Sequence, residues 1–128
     1  MPKGLDIRVD RKDSQLLVIT LVGRVDSETY MDLDKGLRPI LEMGSKKVLF
    51  DMAKCDYVAS AGIRVFFDFM KKLQMKGAVM SMGNLQPQIK KVFEIVKALP
   101  LESVFTSMEE ADAYLERMMD EELKKKRE

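Results

Sequence analysis

Short apolar runs alternate with segments of helical periodicity along most of this chain, and that alternation restricts the fold more than any other feature. Residues 16–22 are apolar almost throughout, as in a strand that is covered on both faces. Residues 5–11 alternate apolar and charged side chains, as in a strand with one face in water. The polar residues 12–15 between them suit a turn, so we predict an N-terminal hairpin whose second strand ends at Gly23.

Strand-like and helix-like segments then follow in turn. Residues 47–51, 78–82 and 101–106 are predicted strands, and predicted helices begin near Asp26 or Ser27, at Ser60, at Pro87 and at Ser107. The order β-β-α-β-α-β-α-β-α predicts an α/β fold in one domain, with a mixed, mostly parallel open sheet of about five strands, an N-terminal antiparallel hairpin and about four helices. Pro39 is expected to kink the first helix or to end it early.

Length and charge limit the kinds of protein that the chain can be. Its 128 residues suit one domain, which we place at residues 1–118, followed by a charged helix end or tail at residues 119–128. Lys and Arg number 22 against 21 Asp and Glu, and this balance argues against nucleic-acid binding. No apolar run approaches the about 20 residues that cross a bilayer, and residues 1–13 lack the apolar segment of a signal peptide. We therefore expect a cytoplasmic protein that does not contact a membrane.

The side chains that most enzymes and metal sites require are scarce. The chain has no histidine and a single cysteine, Cys55, so neither a thiol nucleophile with its base nor a zinc site is expected. Asp26, Asp51 and Asp56 are interpreted as a cap, a strand end and a loop residue rather than as a magnesium cluster. The sequence thus predicts no enzyme, no metal and no cofactor, and Cys55 is interpreted as a packing residue.

Ser60 opens the second predicted helix, within the stretch Ala-Ser-Ala-Gly at residues 59–62. A serine at this place usually caps the helix by accepting a backbone N–H of the first turn. The alternative is a hydroxyl exposed for another protein to modify. Functional loops gather at the carboxyl ends of parallel strands, and the predicted sheet places Asp26, Ser27 and Asn84 at the same edge as Ser60.

Three motifs in succession resemble the STAS domain family. Residues 21–26, Leu-Val-Gly-Arg-Val-Asp, resemble its signature L-x-G-x-[LV]-D. Residues 47–51 followed by residues 60–64 resemble its strand-loop-helix core. Residues 83–87 and 105–111 are similar to its later elements.

The resemblance covers residues 5–118 and implies an anti-sigma factor antagonist. Such a protein binds an anti-sigma factor that is also a serine kinase, and so releases a sigma factor. The kinase phosphorylates the antagonist at the start of the helix that follows the third strand, which ends the association, and a serine phosphatase reverses the modification. The resemblance therefore implies a kinase and a phosphatase as partners, and no catalysis by this chain.

The phosphorylation motif of the family is altered here. Many members read Asp-Ser-[Ser/Thr]-Gly, and the second hydroxyl residue commonly takes the phosphate. In this chain Ala59 replaces the acid, Ala61 stands at the usual acceptor position, and Ser60 and Gly62 match. Either the phosphate moves to Ser60 or regulation by phosphate has been lost.

A phosphate on Ser60 is physically compatible with a folded domain. The positive end of a helix stabilises the added negative charge, whereas a partner would have to bury that charge without a cation. This mechanism requires that the Ser60 hydroxyl point outward. Gly62 is expected to let a partner or a nucleotide approach the backbone closely.

The predicted binding surface surrounds Ser60. The partner-binding residues that we predict are Asp26, Ser27, Tyr57, Ala59, Ala61, Gly62, Arg64, Val65 and Asn84. On the second helix, Val65 and Phe69 are either covered by a neighbouring helix or form an apolar contact patch. Two other functions stay open: a domain that senses a small ligand or nucleotide beside Ser60 and Asn84, and a scaffold that is not phosphorylated. Weak homodimerisation is a further expectation.

Overall fold

The computed structural model describes residues 4–98 and residue 117. The chain divides into two compact units, Met1–Leu85 and Gln86–Glu128, which are described separately. The predicted strand at 101–106, the predicted helix from Ser107 and the predicted boundary after residue 118 lie outside the described residues.

The first unit contains all five described strands and two of the three described helices. In chain order its elements are β1 (Leu5–Arg11), β2 (Leu16–Val25), α1 (Tyr30–Leu41), β3 (Lys47–Asp51), β4 (Cys55–Val58), α2 (Ser60–Met75) and β5 (Val79–Gly83). The second unit contributes α3 (Pro87–Ala98), which begins at the proline as predicted.

The five strands form one mixed sheet with the order β1-β2-β3-β5. β1 is antiparallel to β2, and β5 is parallel to β3. β2 has two parallel neighbours, because β3 pairs with its residues 16–20 and β4 pairs with its residues 23–25. The predicted fold class, an α/β domain with a mixed, mostly parallel open sheet and an N-terminal antiparallel hairpin, is confirmed.

The core lies between one face of this sheet and the two helices. Alternate residues of β2 are fully buried, and so are their neighbours on β3 and the inner stripes of α1 and α2. The ring of Phe50 on β3 packs edge-to-face against Phe66 and Phe69 of α2, with centroid distances of 5.1 and 5.8 Å. Phe69 is therefore a core residue, and the idea that it forms a contact patch is wrong, whereas Val65 is half-buried.

One strand end differs from the prediction, one strand was missed, and of the two outcomes expected at Pro39 the early end of the helix does not occur. β2 does not end at Gly23 but continues to Val25, with a register shift at Gly23, where φ is +119°. β4 was not predicted, because four residues are too few for a periodic pattern. Pro39 does not end α1 early, since the helix continues to Leu41.

Candidate partner-binding site

The loop between β2 and α1 is held by a closed set of hydrogen bonds. The Asp26 carboxylate accepts the backbone N–H groups of Glu28 and Thr29 at 2.9 and 3.0 Å. The Thr29 hydroxyl accepts the N–H of Asp26 and donates to the carbonyl of Arg24, both at 2.8 Å. The helix itself begins directly after Thr29, later than predicted, but the Asp26 carboxylate accepts the N–H groups of the preceding turn as a capping residue does, and the Tyr30 N–H donates to the Asp26 carbonyl at 3.0 Å.

Charge interactions join this loop to β4. Burial raises the pKa of Asp26, but the hydrogen bonds from Glu28 and Thr29 and the nearby Arg24 charge outweigh it and hold the pKa below its usual value. The Arg24 guanidinium lies 3.2 Å from the Asp26 carboxylate and stacks 5.1 Å from the centre of the Tyr57 ring. Tyr57, Arg24 and Asp26 thus form one connected surface beside the start of α2.

A second hydrogen-bonded link joins the ends of β3 and β5. The Asp51 carboxylate accepts the side-chain amide of Asn84 and the backbone N–H of Ala53, both at 3.1 Å. The hydrogen bond from the Asn84 amide is the largest cause that lowers the pKa of Asp51, and the hydrogen bond from the Ala53 N–H is the second. Asn84 itself adopts the left-handed conformation, with φ of 58°, which asparagine tolerates better than most residues. Asp51 is thus an ordering residue of this edge, not merely the end of a strand.

Ser60 is the first residue of α2 and it faces inward. The residue is 3% exposed, and Ile63, on the same face one turn later, is fully buried. The N-cap residue is Ala59, and no side chain caps the helix. The interpretation of Ser60 as the cap of α2 is therefore wrong, and the expected outward orientation of this residue is not observed. Its modification by another protein stays a prediction.

Gly62 also faces inward, and its role differs from the one that we predicted. A Cβ at this position would lie 2.5 Å from Cγ1 of Val25 and 3.1 Å from Cγ1 of Val58. Glycine is required because α2 lies against β2 and β4 here, not because a partner approaches the backbone. The buried valine of the Leu-Val-Gly-Arg-Val-Asp motif and the glycine of the Ala-Ser-Ala-Gly motif are thus in contact.

Ala61 is the half-buried residue between these two inward positions. Together with Arg64 and Val65 it lines one wall of a surface cavity of about 230 Å³, whose other lining residues are Tyr30, Asp34 and Asp68. The cavity lies between α1 and α2 and opens at the position where the resemblance places the phosphate acceptor.

The structure thus divides the predicted site residues into two groups. Ala59, Ser60 and Gly62 are buried, and the outward-facing group is Asp26, Ser27, Tyr57, Ala61, Arg64, Val65 and Asn84. We call Asp26, Ser27, Tyr57, Ala61, Arg64 and Val65 the carboxyl-end surface. Sequence reasoning missed Thr29 and the cavity residues Tyr30, Asp34 and Asp68. The spacing of Tyr30 to Asp34 and of Ala61 to Val65 and Asp68, one or two helical turns, is a signal that could have found them.

Other chemistry finds little support in the described part of the chain. Residues 4–98 and 117 contain no group of three or more His, Cys, Asp or Glu side chains placed to hold a metal ion. Burial raises the pKa of the Cys55 thiol to about 11, so it is neither a ready nucleophile nor a ready ligand. Among the same residues, no helix combines the length and the apolar character that a membrane span requires.

Comparison with known proteins gives concordant results. The family described as STAS domain matches residues 6–111 of the chain. A protein named as a putative anti-sigma factor antagonist, BtrV of Bordetella bronchiseptica, is 30% identical over 109 residues, which covers 85% of this chain and 93% of BtrV.

Two solved structures share the fold. The anti-sigma factor antagonist SpoIIAA in its unphosphorylated form has a TM-score of 0.61 and 16% identity, covering 70% of this chain and 83% of SpoIIAA. An anti-sigma factor antagonist from Mycobacterium paratuberculosis has a TM-score of 0.61 and 15% identity, covering 91% of this chain and 97% of that protein. The match to the family over most of the chain, and the agreement of the fold, confirm the resemblance seen in the three motifs: this chain belongs to the STAS domain family.

Proposed function

We propose that this chain is a cytoplasmic anti-sigma factor antagonist that binds an anti-sigma factor through the carboxyl-end surface. The names of BtrV and of the two structural relatives support this class of partner. The proposal includes no catalytic step, and the buried Cys55 and the absence of histidine from the chain agree with that.

The observation that carries the proposal is the hydrogen-bonded order of this surface. Asp26, Arg24 and Tyr57 are held together by Thr29 and by the stacked guanidinium, next to the cavity at Ala61. A surface that is already ordered loses little conformational entropy when a partner binds. Tyrosine and arginine are also the residue types that contribute most often to binding energy at interfaces.

The binding claim is tested by charge reversal on α2. Arg64→Glu should weaken the affinity for the cognate anti-sigma factor about 10-fold or more in calorimetric titration. Lys71→Glu is the matched control, because Lys71 is exposed and lies two turns further along α2, about 10 Å away. Equal effects of the two changes, or no effect of Arg64→Glu, would place the interface elsewhere.

We further propose that the phosphate switch is absent, which is one of the two alternatives that the altered motif left open. Ala61 occupies the half-buried acceptor position and offers no hydroxyl, whereas Ser60 is 3% exposed. A kinase needs to reach its hydroxyl with a nucleotide phosphate, so Ser60 could react only if the first turn of α2 opened. Phosphorylation of Ser60 by a serine-kinase anti-sigma factor is thus the competing prediction, and a serine phosphatase would have a substrate only in that case.

Phosphorylation by the cognate kinase and ATP, measured by mass spectrometry, separates these outcomes. The unmodified protein and Ser60→Ala should both remain without phosphate, and Ala61→Ser should gain one phosphate at residue 61. Phosphate on Ser60 of the unmodified protein would overturn the loss of the switch, yet it would leave the binding proposal intact. Failure of Ala61→Ser to react, with binding retained, would indicate a partner that is not a serine kinase.

Small-ligand sensing has weaker support than protein binding. The cavity at Ala61 measures about 230 Å³, below the roughly 300–1,000 Å³ of typical small-molecule sites. A saturable thermal shift with a nucleotide or metabolite, in the absence of any protein, would reverse that preference. The unphosphorylated scaffold and the weak homodimer remain predictions, which pull-down and light scattering can test.

A further inference from the structure

Three large apolar side chains are exposed at the amino ends of the parallel strands, away from the carboxyl-end surface. Met75 at the end of α2 is 87% exposed, Val79 at the start of β5 is 58% exposed, and Met43 after α1 is 40% exposed. The first and last residues of α2, Ser60 and Met75, are about 22 Å apart along the helix axis. This group is therefore distinct from the proposed anti-sigma factor site.

Short contacts connect the segments that carry these side chains. Glu42 and Lys76, the neighbours of Met43 and Met75, form an ion pair at 3.6 Å. The backbone N–H of Val79 donates to the carbonyl of Lys46 at 2.9 Å. The ends of α1 and α2 and the start of β5 thus meet. We call Met43, Lys46, Met75, Lys76 and Val79 the amino-end surface.

The charge of the amino-end surface is positive. Lys46 is exposed and forms no ion pair within the described part of the chain, and its ammonium lies near the bare backbone of Gly77. The Lys76 ammonium pairs with the Glu42 carboxylate, and both side chains are well exposed. The adjacent Lys47 is exposed as well, and its charge contributes to lowering the pKa of Asp13 in the β1–β2 turn, after the hydrogen bonds from Gln15 and Leu16.

We propose that the amino-end surface docks a second protein partner through a segment that combines acidic and apolar side chains, such as an amphipathic helix rich in Glu and Leu. Methionine side chains are flexible and polarizable, which suits them to irregular apolar partners, and the lysines complement carboxylates at the rim. An anionic membrane is the less suitable occupant, because the two lysines of this surface and the adjacent Lys47, offset by Glu42, attract it weakly. The inference does not depend on the proposed function, since the two surfaces lie at opposite ends of α2.

The first experiment titrates the full chain with defined probes. The probe is a synthetic amphipathic peptide of Glu and Leu, about 15 residues long so that it can form a helix. A peptide with Lys in place of Glu, and vesicles of 30% phosphatidylserine in phosphatidylcholine, are the competing probes. We expect amide chemical-shift changes at residues 43–47 and 75–79 with the acidic peptide, and none there with the basic peptide.

Paired variants then identify the side chains that bind. Met75→Gln should weaken binding of the acidic peptide about fivefold, and Lys46→Glu should weaken it about 10-fold at low salt. Met31→Gln and Lys35→Glu, at exposed positions on α1 away from this surface, are the matched controls and should change it less than twofold. All four changes alter exposed side chains, so the fold is expected to survive each of them.

Each remaining outcome would overturn the proposal. Shift changes located elsewhere, or equal effects of the variants and their controls, would show that the peptide does not use this surface. Vesicle binding that Lys46→Glu abolishes, without peptide binding, would make it a membrane contact instead. Loss of anti-sigma factor binding in Met75→Gln would show that the two surfaces are one, whereas failure of the Arg64→Glu test leaves this inference untouched.

Discussion

The two ends of the parallel strands are stabilised differently. At the carboxyl end, side chains fix the loops: Asp26 and Thr29 order the β2–α1 loop, and Asp51 with Asn84 joins the ends of β3 and β5. At the amino end, the two helix-to-strand connections rely on backbone hydrogen bonds, such as that of Ala78 N–H to Leu73 carbonyl at 2.9 Å. There the Ser45 hydroxyl is buried without a hydrogen-bond partner among the described residues.

This difference distinguishes the two proposed recognition surfaces. A surface held by side-chain hydrogen bonds has one shape, and it selects a partner that fits that shape. A surface of exposed methionines and lysines adapts to its partner and selects mainly by charge. The four changes below test whether the carboxyl end is indeed the more rigid of the two.

The largest expected effect is at Gly23, near the carboxyl end of β2, and Gly44 at the amino end is its control. In Gly23→Ala the new Cβ would meet the backbone carbonyl of Gly4, which cannot move aside, and φ of +119° is unfavourable for alanine. We expect a loss of about 3 kcal/mol or more in the free energy of unfolding, measured by urea denaturation. Gly44→Ala is the control, since φ is +75° but no atom lies within 4 Å, and it should cost about 1 kcal/mol. Equal losses would mean that the β2 bulge is no more constrained than the loop after α1.

Removing the Thr29 hydroxyl should have the next largest effect. Thr29→Val keeps the shape of the side chain but leaves the Arg24 carbonyl and the Asp26 N–H without their partner. Because Thr29 is only 2% exposed, we expect a loss of about 2 kcal/mol in unfolding free energy together with weaker partner binding. Thr29→Ser retains the hydroxyl and should recover most of the unfolding free energy and most of the partner binding. Full stability of Thr29→Val would show that water replaces the hydroxyl and that the loop is not held by it.

Removing the charge of Asp51 should have a smaller, pH-dependent effect on stability. Its pKa is lowered in the folded state from the ordinary value of 3.8, chiefly by Asn84, so the ionised carboxylate stabilises the fold above about pH 4 and this contribution is lost as the pH falls through the folded pKa. Asp51→Asn should therefore lower the urea midpoint at pH 7, and the difference should narrow as the pH falls below 3.8. Asn84→Gly, which suits φ of 58°, should show the same pattern. A deficit that does not narrow as the pH falls below 3.8 would assign the effect to packing rather than to charge.

The smallest expected effect is a gain at the amino end. Ser45→Ala removes a buried hydroxyl that has no hydrogen-bond partner in the described structure, so the unfolding free energy should rise by up to about 1 kcal/mol. Ser14→Ala, at an exposed position of the β1–β2 turn, should leave it within about 0.5 kcal/mol. A loss of stability in Ser45→Ala would reveal a bound water or another partner for that hydroxyl.

Much of the fold follows from periodicity that is local in the chain. The two N-terminal strands, the start of α2 at Ser60 and the start of α3 at Pro87 could all be located from patterns a few residues long. β4 could not, because its four residues become a strand only by pairing with β2 beyond the register shift at Gly23. A pairing of this kind depends on a backbone conformation that propensity does not encode.

The sequence predicted the location of the candidate site better than it predicted the orientation of the side chains there. Its location at the carboxyl ends of the strands, and seven of its outward-facing residues, followed from topology and from the family motifs. The inward orientation of Ser60 and Gly62 could not be predicted in this way, because it depends on how α2 is rotated about its own axis. That rotation brings Gly62 against Val25 of β2, which is distant in sequence, as well as against the nearby Val58 at the end of β4.

The amino-acid sequence by itself determined the family, the alternation of strands and helices, and the loss of a hydroxyl at Ala61, since each of these is a property of neighbouring residues. The tertiary structure alone decided which side of α2 faces the sheet, and with it that Ser60 is buried and Ala61 lines a cavity. The physical reason is that burial depends on packing between segments that are far apart in the chain. Because Gly62 lacks a Cβ, α2 can lie close to Val25 of β2.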